Sequence, residues 1–400
     1  MFVNKSGRKQ NCFSRNLRVI KSMKIVIIGP AYPYRGGLAV YNERLAKTLE
    51  DEGHQVKIHT FSLQYPQFLF PGKTQFVDEV PTYDLNIVRT VNSVNPLNWL
   101  KVGRQIAKEK PDIIIPRFWL PFMGPCLGTI LRVVKRNKHT KVISILDNVI
   151  PHESRIGDKM FTQYFVKSVD AFLSMTKVVQ EDLSTFDQQK PRLISPHPIF
   201  DNFGEHIEKQ EALRYLKLDP EFKYMLFFGL IREYKGLDIL LEAFAEKRLR
   251  DKKIKLIIAG EYYTDKEKYL KLIEKYQLTE EVIHVEEFIQ DSEVKYYFCA
   301  ADVVVQPYKT ATQSGVTQIA YHFNKPMIVT DVGGLKEMCP DGKVGFVVPV
   351  DKSALAESIE RFYEQTDQNI LLEGIKEEKK KYSWEILVNN ILELYRQTKK

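Results

Sequence analysis

Residues 303–334 read VVVQPYKTATQSGVTQIAYHFNKPMIVTDVGG, and this stretch decides the fold. An apolar strand, Val303–Val305, enters a turn of small polar residues. A helix is expected from about Gly315 to Phe323 and a second strand at Met327–Thr330. Strand, crossover helix and strand in that order make one unit of a parallel sheet. N–H groups at a helix start lack intrahelical partners, and the helix dipole adds partial positive charge there, so such a turn can hold a phosphate. Many α/β folds contain a similar turn, and its meaning depends on the rest of the chain.

The alternation extends in both directions. Upstream strands are expected at Lys24–Ile28, Gln55–Thr60, Leu85–Arg89, Asp112–Ile115, Lys141–Leu146 and Ala171–Ser174, with a short one near Arg192–Ser195. Val40, Leu45, Ala46 and Leu49 give helical spacing to Ala39–Asp51. The pattern restarts at Tyr224–Phe228 and continues through Lys255–Ala259, Val282–Val285, Val303–Val305, Met327–Val329 and Gly345–Val347. Between the halves, PHPIFDNFGE (Pro196–Glu205) is rich in proline and turn formers and marks a linker. The expected architecture is α/β: two doubly wound, Rossmann-like domains, 23–200 and 201–375, facing a central cleft. Ligands bind in such sheets at the carboxyl ends of the strands.

Composition narrows the function classes. Of the net charge of +8, residues 1–22 carry +6, from Lys5, Arg8, Lys9, Arg15, Arg18 and Lys21 with no acidic residue. The remaining +2 does not suggest nucleic-acid binding. This leader lacks the apolar core of a secretory signal and is expected to be a disordered arm or translation from an upstream start codon, the second being favoured. Cys12, Cys126, Cys299 and Cys339 are scattered without a CxxC pair, so neither a zinc site nor a disulfide framework is indicated and a cytoplasmic location fits. The most apolar region, Ile113–Leu131, is interrupted by Arg117, Pro116, Pro121 and Pro125 and does not read as a membrane span.

Candidate chemistry lies at strand ends. GPAYPYRGG (Gly29–Gly37) follows the first strand, and its paired glycines, Gly36 and Gly37, let backbone approach a ligand. It is not GxGxxG, and no acidic residue ends the second strand, which disfavours a dinucleotide. FFGLIREYKGLD (Phe227–Asp238) places Gly229, Arg232 and Lys235 where a strand gives way to a helix beginning near Leu237. Two cations there can neutralise a diphosphate and stabilise it as a leaving group. IIAGE ends the next strand with Gly260 and Glu261, whose carboxylate can meet a ribose or sugar hydroxyl. LDNVIPHE puts Asp147 and His152 on one loop, both within reach of the cleft. PRFWLP ends an earlier strand with Arg117, a candidate for an anionic acceptor, and Trp119, a packing or sugar-stacking residue. A buried His satisfied by backbone, or solvated surface cations, are the bland alternatives.

Over nearly all of residues 23–400 these pieces resemble the family 4 glycosyltransferases of the GT-B fold. The resemblance is carried by the GG loop, FFGLIREYKGLDILLEAF, IIAGE, AADVVVQPY, AYHFNKPMIVTDVGGLKEM, DGKVGFVV and the closing YSWEILVNNILELY. DNVIPHE and QSGVTQIAYHF are similar to a subgroup found in bacterial polysaccharide gene clusters. The resemblance implies that residues 376–400 form a helix crossing back to the first domain. It implies transfer of a sugar from a nucleotide diphosphate sugar with retention, assisted by the leaving diphosphate, with no cofactor and no metal. It places the donor, a UDP- or GDP-sugar, on the second domain, with the turn backbone at Ser314, Gly315 and Val316 and the cation Lys235. The acceptor, a glycan or lipid-linked hydroxyl, falls to the first.

This chain departs from the family at several positions. Leu230 stands where an Arg usually follows the glycine. The paired glutamates that contact sugar and ribose map without gaps onto Ala311 and Ile319, leaving Gln313 and Gln318 as the nearby hydrogen-bonding candidates. The usual His-Asp of the first domain reads Asp147-Asn148, leaving His152 as the local imidazole. The expected function is a retaining glycosyltransferase at the cytoplasmic membrane face. Arg132, Lys135, Arg136, Lys138 and Lys141 are candidates for a peripheral contact with anionic headgroups, and a solvated helix end explains them equally. A non-catalytic sugar-nucleotide binder and a GT-B-like epimerase are the alternatives.

Overall fold

A computed structural model describes residues 22–66, 74–77, 80–151, 155–250, 252–311 and 314–399. Two parallel sheets organise them. The first contains β1 (Lys24–Ile28), β2 (Gln55–Leu63), β3 (Ile87–Asn92), β4 (Ile113–Phe118), β5 (Lys141–Leu146), β6 (Ala171–Ser174) and β7 (Arg192–Ile194), in the order β3-β2-β1-β4-β5-β6-β7. The second contains β8 (Lys223–Phe228), β9 (Ile254–Ala259), β10 (Val282–Val285), β11 (Val303–Gln306), β12 (Met327–Thr330) and β13 (Gly345–Val348), in the order β10-β9-β8-β11-β12-β13. Both are the doubly wound arrangement. The strand order reverses between β1 and β4 in one sheet and between β8 and β11 in the other, which is where a crevice opens.

Burial explains the apolar runs. Helices cover both faces of a parallel sheet, so its central strands need apolar residues on both sides. Strands β4, β11 and β12 are buried along their whole length. The expected strands are all present, and their ends shift. β4 runs through Pro116 to Phe118, where Ile115 was expected to be the last residue. Proline has no N–H for the ladder, and pairing with β5 skips from Ile114↔Val142 to Arg117↔Ile145. The side chain of Ser144 repairs the gap by donating to the Pro116 carbonyl at 3.1 Å. β2 likewise continues to Leu63, held by its pairing with β3 across a register shift.

The helix Trp384–Gln397 packs against the helix Gly37–Asp51 and against β5, β6 and β7 of the first sheet. Ser383 caps it through the Glu385 N–H. Trp384 Nε1 donates to the Ile199 carbonyl at 2.8 Å, and the Trp384 ring meets Tyr41 edge-on at 5.0 Å. Arg44 forms a two-point pair with Asp201 at 2.7 Å for each bond, fastening the connecting segment to the first domain. These contacts hold the mouths of the two sheets face to face.

Candidate functional site

Both strand-order reversals open on one cavity of about 280 Å³. Gly36 and Gly37 wall it from the first domain. Gly229, Arg232, Lys235, Gly260, Glu261, Ser314, Gly315 and Val316 wall it from the second. Residues up to 283 positions apart in sequence, Gly36 and Ile319, thus share one space.

The second-domain wall is built from two interlocked loops. Gly229, at φ 91°, turns the chain out of β8. The Ile231 N–H donates to the Glu261 carbonyl and the Tyr263 N–H to the Ile231 carbonyl, each at 2.8 Å. Gly236, at φ 67°, lets the loop pass so close to Pro307 that a Cβ would lie 1.9 Å from the Pro307 carbonyl oxygen. Only glycine combines that φ with that approach. Lys235 is thereby drawn under the loop. It is 8% exposed, its Nζ lies 5.6 Å from the centre of the Tyr308 ring, and no ion-pair partner is present among the described residues. Burial, reinforced by neighbouring Arg232, lowers its amine to about 7. Arg232 is exposed at the cavity rim, over the Tyr263 ring at 5.1 Å.

The turn from Gln306 to the helix Gly315–His322 completes the wall. Ser314 stands at the N-cap but does not cap the helix. Its hydroxyl donates to Gln306 Oε1 at 2.6 Å, and Thr317 donates to the same oxygen at 3.2 Å. Among the described residues nothing accepts from the Gly315 and Val316 N–H groups, which stand at the cavity. Two cations and an uncapped helix start make an anion-binding surface.

Several expected residues lie elsewhere. Arg117 and Asp147 do not line the cavity; they bind each other in a buried two-point ion pair with Nε and Nη2 each 2.5 Å from a carboxylate oxygen. The Arg117 guanidinium is 2% exposed and stacks on Tyr41 at 3.8 Å. It supports the glycine loop from beneath, since a Cβ on Gly29 would come within 3.1 Å of Arg117 Cβ. Gln318, expected as a donor contact, is wholly buried and does not line the cavity. Neither of its amide atoms has a partner among the described residues. Ile319 lines the cavity in its place, an apolar side chain where the family carries a glutamate. Ala311 is buried at a second cavity further along the cleft. His152 and Gln313 lie outside the described residues. Trp119 is packed at 9% exposure, with its Nε1 donating to Tyr65 Oη at 2.6 Å.

Arg35, which holds the cavity residue Glu261 from the first domain, was not singled out from the sequence. It pairs with Glu261, donates to Tyr263 Oη at 3.2 Å and covers the Phe288 ring at 4.5 Å. The signal was an arginine beside paired glycines, but nothing local names a partner 226 residues away. Phe200 and Phe203 of the linker, with Phe288 and Ile289 after β10, supply apolar walls.

Comparison with known proteins agrees with this geometry. Residues 35–196 match the glycosyltransferase family 4 and residues 222–365 the glycosyl transferases group 1. A D-inositol 3-phosphate glycosyltransferase of Pseudarthrobacter chlorophenolicus is 30% identical over 350 residues, covering 82% of each chain. The chain is a family 4 glycosyltransferase of the GT-B fold. An uncharacterized glycosyltransferase of Methanocaldococcus jannaschii, MJ1178, is 26% identical over 379 residues, 93% of this glycosyltransferase and 98% of the relative. The crystal structure of Anabaena HepE in complex with UDP and glucose superposes with a TM-score of 0.69 at 15% identity, over 94% of this chain and 100% of that one. At that identity the match establishes the shared fold. Among the described residues of this glycosyltransferase, no helix is long and apolar enough to cross a membrane.

Proposed function

We propose that this glycosyltransferase moves a hexose from a UDP- or GDP-sugar to a hydroxyl of a glycan or lipid-linked acceptor, with retention and without a metal. One observation carries the donor side. Arg232, Lys235 and the N–H groups of Gly315 and Val316, which have no acceptor among the described residues, stand at a single cavity at the second sheet's strand-order reversal. Those groups suit a diphosphate, and they can neutralise the charge that grows on it as the glycosidic bond breaks. The acceptor hydroxyl approaches from the Gly36-Gly37 side. It attacks the anomeric carbon on the face the diphosphate leaves, and its proton passes to a departing phosphate oxygen. UDP is the first base to test, because HepE of the same fold was solved with UDP and glucose. The resemblance of DNVIPHE and QSGVTQIAYHF to a polysaccharide-cluster subgroup favours cell-surface polysaccharide synthesis at the cytoplasmic membrane face.

A thermal-shift panel of UDP- and GDP-sugars tests the donor, since a ligand of the folded state raises its stability with binding. A clear shift is expected, lost in Lys235→Ala; equal shifts in both proteins would overturn the diphosphate assignment. Turnover with lipid-linked acceptors, with and without EDTA, tests the reaction. Product NMR is expected to show the donor's anomeric configuration. An inverted product refutes retention, and loss of turnover in EDTA refutes metal independence.

A further inference from the structure

The described surface carries one concentrated apolar patch. Ile150, Ile156, Met160 and Tyr164 are all exposed within residues 150–164, with Ile156 fully exposed and Met160 at 65%. Met160 and Tyr164 sit one turn apart on the helix Asp158–Val166, and Ile156 precedes it by two residues. Cationic side chains border the patch. Arg155, Lys159 and Lys167 are exposed on the same segment and have no ion-pair partner among the described residues. Arg132, from the helix Gly124–Lys135, stacks its guanidinium on the Tyr164 ring at 3.7 Å and donates to the Tyr164 carbonyl at 2.6 Å. Arg136 and Lys138 follow it at the exposed end of that helix. Two acidic groups of the described residues lie on the same segment, and Asp182 stands at the cavity beyond it. Asp158 accepts from the Arg155 N–H at 2.7 Å, and Asp170 pairs with Lys135 at 2.5 Å.

The same chain segment reaches the cleft. Ile150 and Pro151, with Val178, wall a second cavity of about 390 Å³ opposite Lys309, Thr310 and Ala311 of the other domain. Only four peptide units separate Pro151 from Arg155, so the cavity wall and the start of the patch lie within about 15 Å of each other. Apolar side chains ringed by unpaired cations match the chemistry of a membrane interface, where acyl chains lie beneath anionic headgroups. A protein partner would match the apolar part, but it gives no reason for cations of one sign around it.

We infer that the Ile156–Met160–Tyr164 face docks this enzyme on an anionic lipid surface, with Arg132, Arg136, Lys159 and Lys167 over the headgroups. Docking there sets the mouth of the second cavity at the interface, where a lipid-linked hydroxyl enters without leaving the bilayer. The inference rests on the proposed lipid-linked acceptor, but vesicle binding needs neither donor nor acceptor, so each can fail alone.

Co-sedimentation of the full chain with vesicles of phosphatidylcholine alone and of phosphatidylcholine mixed with the anionic lipid phosphatidylglycerol tests it. Binding is expected with the anionic vesicles and to be lost at high salt. Lys159→Gln and Lys167→Gln should each weaken it by about fivefold. Ile156→Ser/Met160→Ser should weaken it by roughly tenfold or more. All variants should keep the wild-type melting temperature without ligand, which separates loss of docking from misfolding. Wild-type binding retained in the variants would place the contact elsewhere, for example in basic residues 1–21, and overturn the inference. Equal binding to neutral vesicles would also overturn it. So would concentration-dependent self-association abolished by Ile156→Ser/Met160→Ser, which would assign the patch to a second copy.

Discussion

Lys235 should couple donor binding to proton uptake. Its amine falls from 10.5 to about 7 because burial under the loop removes it from water, reinforced by neighbouring Arg232. That shift corresponds to a bias of about 5 kcal/mol against the charged form. The unfolded chain then holds this proton more tightly than the folded one. The empty protein carries the full handicap below pH 7 and gains stability as the pH rises from about 7 toward 10.5. A bound diphosphate reverses the preference, since an anion beside the amine favours its charged form. Below pH 7 Lys235 should add no pH dependence to the affinity for UDP. Above it, each pH unit should weaken binding by up to about tenfold, and near pH 8 about 0.9 proton should enter per UDP. Calorimetry in buffers of differing ionisation heat measures that proton directly. At pH 8 a phosphate with pKa near 6 is already ionised and contributes little. Glu43, whose buried carboxyl is raised to about 7, titrates in the same window. Lys235→Arg leaves Glu43 in place and stays charged throughout, so the difference between wild type and variant isolates Lys235. A pH-independent affinity in the wild type, or equal uptake in Lys235→Arg, would refute this coupling.

The same burial predicts that Lys235→Met abolishes UDP binding while raising the melting temperature of the empty protein at pH 6–7 by roughly 2–4 °C for each kcal/mol recovered; differential scanning fluorimetry reads both. Arg35→Met or Glu261→Gln should break a buried interdomain ion pair, each at a cost of about 3–5 kcal/mol. The double variant should recover part of that loss in a urea-denaturation cycle, and strictly additive losses would mean that the pair does not couple the domains. Arg117→Met should destabilise the fold by a similar amount of about 3–5 kcal/mol by removing the buried cation that Asp147 pairs with, with little change in acceptor KM for the folded enzyme. Unchanged stability with a raised acceptor KM would restore Arg117 as an acceptor contact. Gly236→Ala should cost at least about 2 kcal/mol in urea denaturation, because φ 67° and the Pro307 carbonyl leave no place for a methyl group.

The sequence by itself determined the two sheets and the strand-end loops, because those features are local. Apolar runs such as KIVII and VVVQ can be satisfied only when covered on both faces, and Gly229 and Gly236 mark where the backbone must leave a strand at positive φ. Even Ala311 and Ile319 could be flagged, by the family resemblance that sets paired glutamates against them. The tertiary structure decided which side chains meet. Gln318 and Ile319 are neighbours on one helix, but a rotation of about 100° between successive residues sends one into the core and the other into the cavity. Arg117 and Asp147 read as two cleft residues until parallel pairing of β4 with β5 brought them together in a buried pair. Arg35 and Glu261 became partners only when the two domains closed on each other. Periodicity and turn chemistry act over a few residues, whereas the pairing of charges across the cleft depends on how two separately folded sheets are set face to face.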